Sequence, residues 1–83
     1  MRATVEISMY PLDHQYEPKI LSFIEKIEAV PELIVRVNET STHIAGDYDL
    51  IFNTLQTSIR EIFESDYKSV FVLKVLGMDL LES

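Results

Sequence analysis

The sequence predicts an α+β sandwich with elements in the order βαββαβ. Three observations lead there. Residues 3–10 alternate apolar and polar, and similar short runs recur near 33–38, 41–45 and 70–76. Two longer stretches, 20–27 and 51–62, instead repeat apolar residues every three or four positions. Prolines, a glycine and polar corners separate these patterns, with one helical stretch after the first strand and one after the third.

The first strand places Ala3, Val5, Ile7 and Met9 on one face and Thr4, Glu6, Ser8 and Tyr10 on the other, and Pro11 ends it. Glu17-Pro18 opens the first helix, because proline suits a first helical position. Ile20, Phe23, Ile24 and Ile27 give it one buried stripe, and Pro31 stops it near Ala29. Leu33 to Asn38 reads as the second strand. Glu39-Thr40 forms a two-residue turn without the glycine such turns favour. If Asn38 pairs with Ser41, then Val37 faces Thr42, Arg36 faces His43 and Val35 faces Ile44. That register keeps Ile44 on the apolar side, and a slip of one residue would scramble both faces. Gly46 is expected to break the third strand. Asp47 then caps the second helix, with Asp49 adding negative charge to its first turn. The stripe Ile51, Leu55, Ile59 and Ile62, flanked by Leu50 and Phe63, carries that helix to about Glu64. Ser65-Asp66 turns the chain into a last strand from Val70 to Leu76. Gly77 ends it, before a short apolar tail, Met78-Asp79-Leu80-Leu81.

Right-handed crossovers place both helices on one side of a four-stranded antiparallel sheet, the ferredoxin-like arrangement, with expected strand order 4-1-3-2. The 83 residues make one domain, 1–83, and so small a domain is marginal alone. Hydrophobic residues make up 47% of it, including four tyrosines and four phenylalanines. With no cysteine in the chain, disulfides and thiolate metal sites are excluded. Further stability would have to come from assembly or a ligand.

The formal net charge of −7 argues against nucleic acid and against anionic membrane surfaces, and leaves room for a neutral or cationic ligand. No apolar run approaches the roughly 20 residues of a membrane span. Met1-Arg2 leads straight into a strand pattern, so the expectation is a cytoplasmic protein without a signal peptide.

The helix-free sheet face mixes Thr4, Glu6, Ser8, Tyr10, Arg36, Ser41, His43 and Lys74 with Val70 and Val72. An exposed valine strip of this kind marks an interface, and the expected cover is another subunit's sheet. Glu6 sits mid-strand on a central strand. It either forms a structural pair with Lys74 or Arg36, or stays solvated, or joins Ser8, Asn38 and Ser41 in a polar pocket. His14 and His43 lack metal-ligand spacing and read as surface or packing residues. Tyr10, Tyr16 and Tyr48 can stack on a ring or cation, although packing is the commoner role. No nucleophile elbow and no phosphate-cradling glycine loop is present, in a chain with only two glycines.

The stretches ATVEISMYPL at 3–12 and STHIAGDYD at 41–49, in so short a chain, resemble the YkoF-like thiamine-binding protein family. The resemblance covers essentially the whole chain. It implies a ferredoxin-like fold, dimers or tetramers whose sheets meet, and non-catalytic binding of thiamine or its hydroxymethylpyrimidine part. The family's corner commonly reads asparagine-proline-methionine before a Ser-Thr pair. Here it reads Asn38-Glu39-Thr40, which removes apolar contact from the corner. The expected ligand-binding residues are Glu6, Ser8, Asn38, Ser41, Thr42 and Tyr48, although Thr42 falls on the apolar side in the register above. No cofactor, metal, nucleic acid or membrane partner is expected. The rival reading is a structural homo-oligomeric module with no ligand. An acylphosphatase-type enzyme on the same fold ranks last, because YPLDHQY after the first strand holds no arginine and no glycine.

Overall fold

The computed structural model describes residues 1–12, 16–65 and 68–81. Six elements follow one another: β1 (Arg2–Pro11), α1 (Tyr16–Glu28), β2 (Ile34–Val37), β3 (Thr42–Asp47), α2 (Tyr48–Glu64) and β4 (Ser69–Leu76). The four strands form one antiparallel sheet in the order β2-β3-β1-β4. Read from the other edge, that is the expected 4-1-3-2.

The hairpin register is the one the alternation requires, with Val37 opposite Thr42, Arg36 opposite His43 and Val35 opposite Ile44. Its physical reason is visible in the core. Val5 and Ile44 are direct partners across β1 and β3, and both are fully buried. They meet Phe23 and Ile27 from α1 and Ile51, Leu55 and Ile62 from α2. A slip of one residue would turn Ile44 toward the opposite face. Phe71 ties β4 into the same layer, its ring 5.0 Å from that of Phe23 and 5.7 Å from that of Phe63.

Local chemistry sets the helix ends. The Asp47 carboxylate accepts from the backbone N–H of Leu50 at 3.1 Å, as an N-cap does. Helix α1 begins at Tyr16, so Pro18 is its third residue rather than its first. Proline is tolerated there because the first four N–H groups of a helix have no internal partner. In α2 the buried stripe includes Ser58 beside Ile51, Leu55 and Ile62. His14, Asp66 and the side chain of Tyr16 lie outside the described residues.

One feature departs from the sequence reading and another adds to it. Gly46 does not break β3; it pairs with Ala3 inside the strand. A Cβ there would lie 2.7 Å from Leu33 Cδ2, so the glycine admits the loop that leads into β2. The C-terminal tail is also no loose end. It folds back over the helix-free face, where Thr4 Oγ1 donates to the Met78 carbonyl at 2.8 Å and accepts from Leu80 N at 2.9 Å. Arg2 Nε reaches Asp79 Oδ2 at 2.7 Å, and Arg36 Nη2 donates to the Leu81 carbonyl at 3.3 Å. Thr4 and Ala45, direct partners on that face, are both 0% exposed. Among the described residues, no helix is long and apolar enough to cross a membrane.

Candidate functional site

The site begins at the β2–β3 corner. Asn38 N donates to the Ser41 carbonyl at 3.0 Å, closing the turn. The Asn38 side-chain oxygen accepts from Thr40 N at 2.9 Å and from Ser41 N at 2.8 Å. An asparagine side chain that satisfies backbone N–H groups two and three residues on mimics a further turn. This is how the corner closes without glycine. It also spends the Asn38 oxygen on structure.

The corner then delivers two groups to the end of β1. Ser8 Oγ donates to the Thr40 carbonyl at 3.1 Å, and Ser41 Oγ lies 3.2 Å from Glu6 Oε2. The register brings two more groups to Glu6, since His43 is its direct partner on β3 and Lys74 its direct partner on β4. His43 Nε2 stands 3.2 Å from Glu6 Oε2, and Lys74 Nζ stands 3.4 Å from Oε1. Of the two bases expected for Glu6, the structure supplies Lys74, while Arg36 holds the tail instead.

These contacts hold the Glu6 carboxyl below the usual carboxylate range. The Ser41 hydroxyl is the main cause. Partial desolvation opposes it, and the Lys74 ammonium and the His43 imidazole add to it. Glu6 is therefore an ionised acceptor at neutral pH. Its side chain is 28% exposed and that of Lys74 is 77% exposed, so this ion pair is screened and Lys74 is free to swing away.

Glu6, Ser8, Tyr10, Thr40, Ser41, Val72 and Lys74 enclose a recess of about 320 Å³ on the helix-free face. A second cavity, also of about 320 Å³, lies on the other side of the same corner, between α1 and the sheet. Thr40, Ser41 and Tyr10 border both spaces.

Of the six residues expected from the sequence, the structure gathers Glu6, Ser8 and Ser41 in the first recess. Asn38 frames that recess through the corner and lines the second cavity. Thr42 also lines the second cavity, opposite Ile7 and Val37 on the helix-facing side. Tyr48 is brought to neither. It follows Asp47, the partner of Arg2, at the far end of β1, and its ring packs 4.9 Å from that of Phe52. Tyr10, Lys74 and His43 were not among the expected binding residues. The alternation of β1 and the pairing of Glu6 with both neighbours are the signals that find them. Among the described residues, no three histidine, aspartate or glutamate side chains converge as metal ligands would.

Residues 2–74 match the profile of the YKOF-related family. No curated protein matches the chain. Solved structures share its fold. One is a Thermotoga maritima protein provisionally assigned to thiamine biosynthesis or salvage, 21% identical, with 94% of this chain and 85% of that one covered and a TM-score of 0.84. Another, from Streptococcus pneumoniae, is 18% identical, with 99% and 92% covered and a TM-score of 0.83. A hypothetical protein of Methanocaldococcus jannaschii is 22% identical, with 98% and 84% covered and a TM-score of 0.79.

Proposed function

The chain belongs to the YKOF-related family, and from that premise we propose that it binds thiamine or a related hydroxymethylpyrimidine, without catalysis, for sequestration, delivery or sensing. One observation carries the reading: an ionised glutamate fixed mid-sheet in a half-open recess, with two serine hydroxyls beside it. An aminopyrimidine presents hydrogen-bond donors and acceptors along one planar edge. Glu6 accepts from the exocyclic amino group, and Ser41 or Ser8 turns its hydroxyl toward a ring nitrogen. Tyr10 and Val72 supply flat apolar walls. A thiazolium cation is compatible with a chain of net charge −7 and with a tyrosine face. The Thermotoga protein's assignment to thiamine metabolism supports the choice of ligand.

Charge separates the free vitamin from its phosphorylated forms. Among the described residues that line the recess, only Lys74 could meet a diphosphate, and nearby Arg36 is engaged with the tail. Unphosphorylated thiamine is the better fit. Calorimetric titration with thiamine and with 4-amino-5-hydroxymethyl-2-methylpyrimidine tests the reading. Binding of either, weaker for thiamine diphosphate, is the expected result. No heat and no thermal shift at millimolar ligand would overturn it.

A second reading rests on its own observation. Val70 and Val72 are half exposed on the same face, next to an exposed Tyr10. In this reading the face associates with a second copy and holds no ligand. Sedimentation separates the two, since ligand binding with a monomeric protein excludes the second and a ligand-indifferent dimer favours it.

A further inference from the structure

We propose that the cavity between α1 and the end of the sheet is a second small-molecule site, separate from the Glu6 recess, which takes a neutral planar ligand of one or two fused rings with a hydrogen-bond acceptor on one edge.

The walls of this cavity come from both layers. Ile20, Phe23 and Ile24 project from α1, while Ile7, Met9 and Val37 rise from β1 and β2. The corner residues Asn38 to Thr42 form the remaining side. At about 320 Å³ the space is roughly twice the ~150 Å³ apolar cavity that holds a benzene ring. Its surface is mainly apolar, as small-molecule pockets are. Among the described residues no lysine, arginine or histidine lines it, and Glu39 is the only carboxylate, on the exposed rim. An anionic ligand would meet no counter-charge from these residues.

Thr42 marks the site as more than a packing gap. It sits between Ile7 and Val37 on the core side of β3 and is 5% exposed. A valine would have the same shape there and would leave nothing unpaired. Among the described residues, the Thr42 hydroxyl has no hydrogen-bond partner. An unmet hydroxyl in such a place is destabilising unless something outside the chain meets it. It is also not sealed in. Among the described residues the only fully enclosed side-chain polar atom without a partner is Ser69 Oγ, on β4. Thr42 therefore opens on a space, and the space it lines is this cavity. The Asn38 amide group borders the same space, with its oxygen turned to the corner backbone. That leaves its nitrogen as a second donor. Two donors at one end of an apolar slot, with the Phe23 ring and the Met9 thioether in its walls, suit an aromatic ligand that accepts at one edge.

Quinoline is a suitable probe, being neutral at pH 7.5, bicyclic and equipped with one acceptor nitrogen. Carbon–proton correlation spectra of the methyl groups would follow its titration into the full-length protein. Saturable shifts at Ile7, Ile20, Ile24 and Val37 are expected. Thr42→Val keeps the shape and removes the donor, and should weaken quinoline roughly fivefold, the cost of one neutral hydrogen bond. Ile24→Phe fills the slot and should abolish the shifts; where that variant does not fold, Thr42→Val decides alone. Three results would overturn the proposal: no saturable shift at those methyls, equal affinity in Thr42→Val (which would mean that the Thr42 hydroxyl meets water and not the ligand), or shifts centred on Ser8, Val72 and Lys74. Thiamine titrated in parallel keeps the two sites apart. Lost thiamine binding with retained quinoline shifts removes only the Glu6 reading, and the converse removes only this one.

Discussion

The two ends of the helix-free sheet face are built from the same strands and finished in opposite ways. At one end Thr4 and Ala45 lie under the C-terminal tail, fully buried, and the Thr4 hydroxyl both donates and accepts. Two and four residues further along β1, Glu6 and Ser8 remain open, and opposite Ser8 on β4 stands Val72, 52% exposed. The chain thus has the means to cover its own sheet and uses them on only one half. The covered half is satisfied by backbone groups, which bind nothing else. The open half carries apolar walls, an ionised carboxylate and two serine hydroxyls, polar groups held by exposed neighbours that a ligand or a second copy can displace.

Removing the tail is the strongest way to break that contrast. Truncation after Gly77 takes away both partners of Thr4, the Asp79 contact with Arg2 and the cover over Ala45. A loss of about 2–4 kcal/mol in urea unfolding is expected, the scale of a few buried hydrogen bonds left unmade. Thr4→Val is milder. It leaves Leu80 N and the Met78 carbonyl without their side-chain partner, for about 1–3 kcal/mol in the same measurement. At the open end the counterpart is Val72→Thr, which should change monomer stability by no more than about 0.5 kcal/mol. If the face associates with a second copy, that substitution should instead lower the sedimentation coefficient at a fixed concentration. A large stability loss from Val72→Thr in a monomeric protein would mean that the open end is finished after all.

The same contrast separates what the sequence made legible from what it hid. Alternation in β2 and β3 excluded a one-residue slip, which would expose Ile44, and the short Asn38–Ser41 corner excluded longer ones, so the hairpin register and its faces followed. Glu6, Ser8 and Ser41 were legible as neighbours for the same reason. Distance along the sheet was not. Tyr48 shares the stretch 41–49 with Ser41 and Thr42, yet antiparallel pairing carries it beside Arg2, at the other end of the strand. The tail was hidden for a different reason. Met78 to Leu81 has neither strand nor helix period, and its anchors are the Thr4 hydroxyl, Arg2 and Arg36, which alternation marks only as polar. Gly46 misled because glycine signals both a break and a close approach, and only the position of Leu33 decides between them.

Glu6→Gln addresses the open end directly. The amide keeps the shape but loses the charge and presents a donor where the ligand's amino group needs an acceptor. Thiamine affinity should fall about tenfold, on the scale of one charge-assisted hydrogen bond, with the spectrum of the folded protein unchanged. Retained affinity would move the ligand away from Glu6.

The smallest effect concerns pH, and its sign follows from the lowered Glu6 pKa. The folded protein holds this carboxyl below its unfolded value, so folding favours the ionised form. The resulting stability is fully present above the ordinary glutamate value of about 4.3 and is lost as pH falls through the lower folded value. The stability difference between the wild type and Glu6→Gln should therefore hold steady at neutral pH and shrink on acidification below that point. The difference between the wild type and Thr4→Val should not follow it, because both partners of Thr4 are backbone groups that do not titrate. Since Lys74 is mostly exposed, the Glu6 effect should also shrink in added salt, while the Thr4 effect should not. If the Glu6 difference proves independent of both pH and salt, the carboxylate is not held by its charged neighbours, and the open end loses the feature that distinguishes it from the covered one.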